Sequence, residues 1–118
     1  MREYHINGGN TLYGEVKING AKNSILPILA STILNANESV IHNCPKISDT
    51  YIALDILRTS GCNVKFEDNT ITVQSLHADC YDVPLELVKE MRSSVIFLGS
   101  MLARFKKVKI SYPGGCEC

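Results

Sequence analysis

Ser24-Ile25-Leu26-Pro27-Ile28-Leu29-Ala30-Ser31-Thr32-Ile33-Leu34 decides the fold. Its spacing predicts a helix, and its apolar residues Ile25, Leu26, Ile28, Leu29, Ile33 and Leu34 fall on nearly every side of it. Such a helix belongs in a core rather than on a surface. Pro27 is acceptable there because the first turn of a helix has free N–H groups regardless. Upstream, Leu12 to Ile18 alternates, with Leu12, Val16 and Ile18 apolar, and predicts a strand ended by Gly20. Downstream, Ser39 to Asn43 predicts a short strand closed by Pro45.

The pattern recurs. After a shift of sixty-eight positions, Ile28, Leu29, Ile33, Leu34, Val40 and Pro45 fall on Ile96, Phe97, Met101, Leu102, Val108 and Pro113. Both stretches read as buried helix, strand and proline turn. Between them, Ser48 and Asp49 are placed to cap a second helix carrying Ile52, Ala53, Ile56 and Leu57, with Gly61 at its end. Val64, Phe66, Ile71 and Val73 alternate about Asp68-Asn69, which predicts a hairpin. Pro84 opens a helical turn, Met91 to Phe105 reads as another apolar helix and Val108 to Tyr112 as another strand. A repeated helix–strand pattern with a hairpin between the copies implies an α/β fold of stacked units.

A chain of 118 residues suits one modest domain, and 45% hydrophobic residues suit a globular one. Twelve basic residues balance twelve acidic ones, which argues against a nucleic-acid binder. Arg104, Lys106, Lys107 and Lys109 cluster at a helix end and read as a solvated face. The longest apolar stretch, Val95 to Ala103, is too short to span a bilayer. Five cysteines stand at 44, 62, 80, 116 and 118, odd in number and irregular in spacing. With no signal peptide at Met1-Arg2-Glu3-Tyr4-His5, a reduced, cytoplasmic setting is expected. Neither a metal nor a cofactor is expected, since Cys116-Glu117-Cys118 has no second ligand pair around it.

Two segments carry the chemistry. Asn19-Gly20-Ala21-Lys22-Asn23 puts a cation and an amide at a glycine turn where a helix begins, a place that favours anions. It also reads as a plain helix start, with Asn23 or Ser24 as the cap. Pro113-Gly114-Gly115-Cys116 puts a thiol on an open glycine loop, and also reads as a turn after a strand. Arg92, at the start of the second apolar helix, offers a planar fork for phosphate or carboxylate, or a surface charge. Cys44, Cys62 and Cys80 have no motif around them and read as structural.

Asn7-Gly8-Gly9-Asn10-Thr11-Leu12-Tyr13-Gly14-Glu15-Val16-Lys17-Ile18-Asn19-Gly20-Ala21-Lys22-Asn23 resembles the amino terminus of the UDP-N-acetylglucosamine 1-carboxyvinyltransferase family. Val88-Lys89-Glu90-Met91-Arg92-Ser93-Ser94 resembles that family's second motif and Pro113-Gly114-Gly115-Cys116 its third. The three stand in the family's order over essentially the whole chain. The resemblance implies an enolpyruvyl transferase that opens peptidoglycan synthesis and serves cell-wall biogenesis, shape and division in bacteria. It implies the substrates phosphoenolpyruvate and UDP-N-acetylglucosamine, with no nucleic acid and no membrane as partners. It implies that Lys22, Asn23 and Arg92 bind substrate and that Cys116 is catalytic and is the residue alkylated by fosfomycin.

The same resemblance implies an inside-out α/β barrel of repeated βαβαββ units with the apolar helices inside. Residues 1–20 would be a strand of the enzyme's second domain, and 21–118 the first repeat unit and the start of the second. Enzymes of the family are about three and a half times this length, so the chain is expected to correspond to the first quarter, partnered by the remainder and inactive alone. The family's segment after the cysteine is Ile-Gly-x-Arg-Pro, where this chain has Glu117-Cys118. Two other readings stand beside this one. One is an enzyme like 5-enolpyruvylshikimate-3-phosphate synthase, whose early motif has Lys-Ser in place of Lys22-Asn23. The other is a non-catalytic α/β repeat domain that binds a nucleotide sugar or a partner chain.

Overall fold

A computed structural model describes residues 2–90 and 95–110. Arg92 and the whole of Pro113–Cys116, with the expected start of the last helix and end of the last strand, lie outside the described residues. The elements run α1 (Lys22–Ser31), a 3-10 turn (Thr32–Asn35), β1 (Glu38–Ile41), α2 (Ser48–Thr59), β2 (Asn63–Glu67), β3 (Thr70–Gln74), β4 (Asp82–Val83), α3 (Leu85–Glu90), α4 (Phe97–Phe105) and β5 (Lys109–Ile110).

Three strands form one antiparallel sheet in the order β1-β3-β2, with Val40 opposite Thr72 and Val64 opposite Val73. The period of two puts Val64, Ile71 and Val73 on the face that meets the helices, while Thr70, Thr72 and Gln74 stay partly in solvent. The β2–β3 hairpin turns at Asp68 (φ 49°) and Asn69 (φ 60°). Two successive positive φ values define the tight turn whose twist matches that of the strands, and Asp and Asn tolerate them. β4 and β5 form a separate parallel pair, joined through α3 and α4.

The sixty-eight-residue repeat is visible in the packing. Leu29 and Phe97, equivalent in sequence, are both fully buried, as are Ile33 and Met101. α4 lies against α1 and the 3-10 turn, and all four side chains belong to one core cluster. Leu34 and Leu102, also equivalent, are both half exposed, and Ile28 is 43% exposed. The core-helix expectation therefore holds for one side of each helix. Among the described residues nothing covers the other side.

Three expectations need correction. Leu12 to Ile18 forms no strand; residues 2–20 carry no regular element, and Leu12, Val16 and Ile18 are 93%, 89% and 82% exposed. An isolated extended segment has no ladder to satisfy its N–H and C=O groups, so water does so instead. The caps are also displaced. Ala21 precedes α1 with extended φ/ψ of −79° and 133°, and Ile47 precedes α2, neither making a side-chain cap bond. Asn23 and Ser48 are thus inside their helices rather than capping them.

Arg104 is the third. It does not belong to a solvated face: its guanidinium donates to the carbonyls of Ile33 (2.6 Å), Ser75 (2.9 Å) and Leu76 (3.4 Å). These carbonyls lie in the 3-10 turn and just past β3, where regular bonding runs out and a five-donor fork can satisfy several acceptors at once. Arg104 so ties α4 to the first helix–strand unit.

Candidate active site

The amino-terminal ends of α1 and α2 meet at one place. Lys22 is the first residue of α1 and Asp49 lies in the first turn of α2; Lys22 Nζ sits 3.0 Å from Asp49 Oδ2. The Asp49 side chain is 19% exposed and that of Lys22 60% exposed. The carboxylate is thus the anchored partner and the lysine the reaching one. Asp49 is the second residue of α2, not its cap, and its charge goes to the ammonium across the gap.

Gly20 makes the approach possible. A Cβ at this position would clash with the carbonyl oxygen of Asn43 and lie 3.1 Å from Pro45 Cδ. Only glycine lets the strand of chain before α1 lie against the turn at 43–45. That turn is held in place. Asn43 has φ 56°, and the Cys44 N–H donates to the carbonyl of Asn69 at 2.7 Å. The tip of the hairpin is therefore part of the site's scaffold.

Asn19, Gly20, Lys22, Cys44, Pro45, Lys46, Ile47 and Asn69 enclose an open cavity of about 330 Å³. Two of its walls are the starts of α1 and α2, where unbonded N–H groups concentrate partial positive charge. Lys22 and Lys46 add two ammonium groups. The Cys44 thiol is buried and donates to the Ile41 carbonyl at 3.2 Å. Burial pushes its pKa up, against a smaller lowering by a backbone hydrogen bond with Ile71, so it stays a neutral thiol at physiological pH. The arrangement can hold an anion; Cys44 does not supply a nucleophile to it.

Of the four expected site residues, Lys22 lines this cavity. Asn23 follows it on α1 as an exposed residue that makes no side-chain hydrogen bond among the described residues. Arg92 and Cys116 fall outside the described residues. Sequence reasoning missed Lys46, Asp49 in its role as the partner of Lys22, and Asn69. For Lys46 a signal existed. Pro45-Lys46 stands just before a helix start, as Gly20-Ala21-Lys22 does. For Asn69 there was none, because a hairpin tip reads as a solvent turn until its neighbour is known. Among the described residues no three His, Cys, Asp or Glu side chains converge as a metal set, and no helix is long and apolar enough to cross a membrane.

The chain matches the family described as EPSP synthase (3-phosphoshikimate 1-carboxyvinyltransferase) over residues 6–118. It is 50% identical over 117 residues to UDP-N-acetylglucosamine 1-carboxyvinyltransferase 2 of Caldanaerobacter subterraneus subsp. tengcongensis. It is 46% identical over 117 residues to the UDP-N-acetylglucosamine 1-carboxyvinyltransferase of Wigglesworthia glossinidia brevipalpis. In both cases the match covers 99% of this chain and 28% of the relative, so the chain spans little more than a quarter of their length. Among solved structures, the enolpyruvyl transferase NikO from Streptomyces tendae superposes with a TM-score of 0.71 at 29% identity, over 82% of this chain and 23% of that one.

Proposed function

The chain belongs to the EPSP synthase family, and from that premise we propose that it forms the first part of a UDP-N-acetylglucosamine enolpyruvyl transfer site. The observation that carries the proposal is Lys22: an ammonium at the start of a helix buried on one side, beside a second helix start, on the wall of an open cavity. The relatives at 40–50% identity share the name of an enzyme acting on UDP-N-acetylglucosamine, which favours that acceptor over a shikimate phosphate.

The reaction moves the enolpyruvyl group of phosphoenolpyruvate onto the sugar's 3-hydroxyl and releases phosphate. C3 of the enol ether gains a proton, and positive charge develops at C2. The hydroxyl oxygen adds to C2 and gives up its proton. The tetrahedral intermediate then loses a C3 proton and phosphate, which restores the double bond. Lys22 binds the anionic phosphoenolpyruvate, helped by the N-terminal end of α1. Asn23 offers both donor and acceptor to the sugar. Arg92 holds phosphate or carboxylate through two parallel hydrogen bonds. Cys116 is the acid: an ordinary thiol, pKa about 8.5, is protonated at neutral pH and able to donate. It is also the thiol that fosfomycin would alkylate, in a reducing cytoplasm.

We further propose that residues 1–20 serve as a strand of a second domain. The alternating, exposed Leu12, Val16 and Ile18 support this, since they are the pattern of a strand awaiting a partner. Residues 21–118 then hold the first helix–strand unit and the start of the second.

A chimaera tests the function. Residues 1–116 replace the matched segment of the Caldanaerobacter relative, and phosphate release is measured with both substrates. Turnover that falls at least a hundredfold in Lys22→Ala and in Cys116→Ala is expected, on the scale of losing one charge-stabilising or acid group. Turnover unaffected by either change overturns the proposal.

A further inference from the structure

We propose that Asn7 is a site of spontaneous deamidation, and that the fold shields the chain's second Asn-Gly pair, Asn19-Gly20, from the same chemistry. Of the nine asparagines in the chain, Asn7 and Asn19 are the two that precede a glycine. At such a pair the backbone nitrogen of the glycine attacks the side-chain carbonyl carbon of the asparagine. A C–N bond forms in a five-membered imide, the bond to the amide nitrogen breaks, and that nitrogen leaves as ammonia with the backbone proton. Water then opens the ring at either carbonyl. The product is aspartate, or isoaspartate with the main chain running through the side-chain carbon. Water is the one co-reactant, and no redox change occurs. A side chain on the following residue obstructs the attack, and glycine has none.

Ring closure requires the backbone to swing until the glycine nitrogen reaches the side-chain carbon, so local freedom sets the rate. Asn7 has that freedom. It is exposed, within residues 2–20, which carry no regular element, and its neighbour Ile6 is 85% exposed. A Cβ placed on Gly8 meets nothing within 4 Å, and Gly9 follows with φ 85°. A long bond from Asn10 Nδ2 to the Asn7 carbonyl oxygen (3.5 Å) does not hold the Asn7 side chain.

Asn19 lacks it. Gly20 lies so close to the 43–45 turn that a Cβ would clash with the Asn43 carbonyl oxygen and lie 3.1 Å from Pro45 Cδ. The turn is fixed by the Cys44 N–H to Asn69 carbonyl bond at 2.7 Å. On the other side, the Ala21 carbonyl already accepts from Ser24 (3.3 Å) and Ile25 (3.1 Å) in the first turn of α1. A swing at Asn19-Gly20 must therefore push back the turn or lift the start of the helix. The shielded position is also the one where conversion would matter. Asn19 lines the Lys22 cavity, whose lining holds no carboxylate. Conversion at Asn7 adds one negative charge to an exposed segment of a chain with formal net charge +0. The inference stands apart from the enolpyruvyl-transfer reading, because it uses only the two dipeptides and their surroundings.

The test incubates the 118-residue chain in H₂¹⁸O at mildly alkaline pH, folded and in urea, and maps it by tandem mass spectrometry after digestion at mildly acidic pH. The new oxygen comes from solvent, so ¹⁸O marks each conversion made during the incubation. Cleavage after Arg2, Lys17 and Lys22 puts Asn7 and Asn19 on different peptides. In the folded chain Asn7 should convert at least about tenfold faster than Asn19, the ratio given by a local opening cost of about 1.4 kcal/mol at Asn19. In urea the two rates should converge. Gly8→Ala, a change in open space, should slow conversion at Asn7 several-fold and leave Asn19 as it was. Equal rates at the two sites in the folded chain overturn the inference, as does an Asn7 that stays amidated there. A difference that persists undiminished in urea overturns the shielding, since local sequence rather than the fold would then set it.

Discussion

Gly20→Ala should destabilise the chain by about 2–3 kcal/mol, although it adds one methyl at a partly exposed position. The new Cβ would clash with the Asn43 carbonyl oxygen, far inside van der Waals contact, and lie 3.2 Å from the Asn43 carbonyl carbon and 3.1 Å from Pro45 Cδ. None of these atoms is the end of a flexible side chain. Relief requires the 43–45 turn to retreat by about an ångström. The turn is tied down by the Cys44 N–H to Asn69 carbonyl bond at 2.7 Å and by Pro45. Forced overpacking costs about 1–3 kcal/mol, and loss of the Cys44–Asn69 bond adds about 1 kcal/mol. The stiffer unfolded chain returns about 0.4–1 kcal/mol. Gly8 is the control, because a Cβ there meets nothing within 4 Å; Gly8→Ala should stay within about 0.5 kcal/mol of the parent. Urea unfolding followed by circular dichroism gives both values. A Gly20→Ala variant as stable as Gly8→Ala would show that the turn does not rest on Gly20, and the geometry around Lys22 would have to be redrawn.

The remaining predictions concern the thiols and the amino-terminal segment. Cys62 is 6% exposed, and burial, opposed in part by the Arg104 charge, pushes its pKa from 9.0 to about 11. The unfolded chain therefore loses this proton first as pH rises, and the stability advantage of the parent over Cys62→Ala should be full below pH 9 and shrink by about 2–3 kcal/mol by pH 11. A gap that is constant in denaturant titrations from pH 8 to 11 would remove that burial term. In limited alkylation with peptide mapping, Cys116 should label ahead of Cys44 and Cys62, whose thiols are buried and held protonated; earlier labelling of either buried thiol contradicts the site assignment. Val16→Ser and Ile18→Ser should each change stability by less than about 0.5 kcal/mol, since both side chains are more than four-fifths exposed; a larger loss in thermal melts would mean that the segment packs on the domain.

The sequence was most legible where local chemistry and burial agree. The Asp68-Asn69 turn announces its hairpin because those residues accept positive φ, and Gly61 (φ 101°) ends α2 for the same reason. The sixty-eight-residue repeat was readable because Leu29 and Ile33 need the same burial as Phe97 and Met101. It failed where the answer lies across the fold. Leu12 to Ile18 alternates correctly, yet a strand exists only with a partner edge. Asp49 looks like a cap until Lys22, twenty-seven positions earlier, is found beside it. Arg104 looks solvated until the open carbonyls of Ile33 and Ser75 are seen around it. Lys22 was legible as a candidate because its motif is local, and Lys46 carried a similar local signal that went unread. Asn69 carried none, because the cavity it shares with them is made by three separate turns.

The central claim is that Lys22 and Cys116 act on the same phosphoenolpyruvate. Mass spectrometry of the chimaera incubated with phosphoenolpyruvate tests it most directly. Addition of the Cys116 sulfur to C2, with a proton to C3, leaves one adduct carrying the whole substrate. The account predicts that adduct on the Cys116 peptide alone, and its loss in Lys22→Ala while the fold is kept. An adduct that forms equally well in Lys22→Ala, or that maps to Cys44, Cys62 or Cys80, would contradict it.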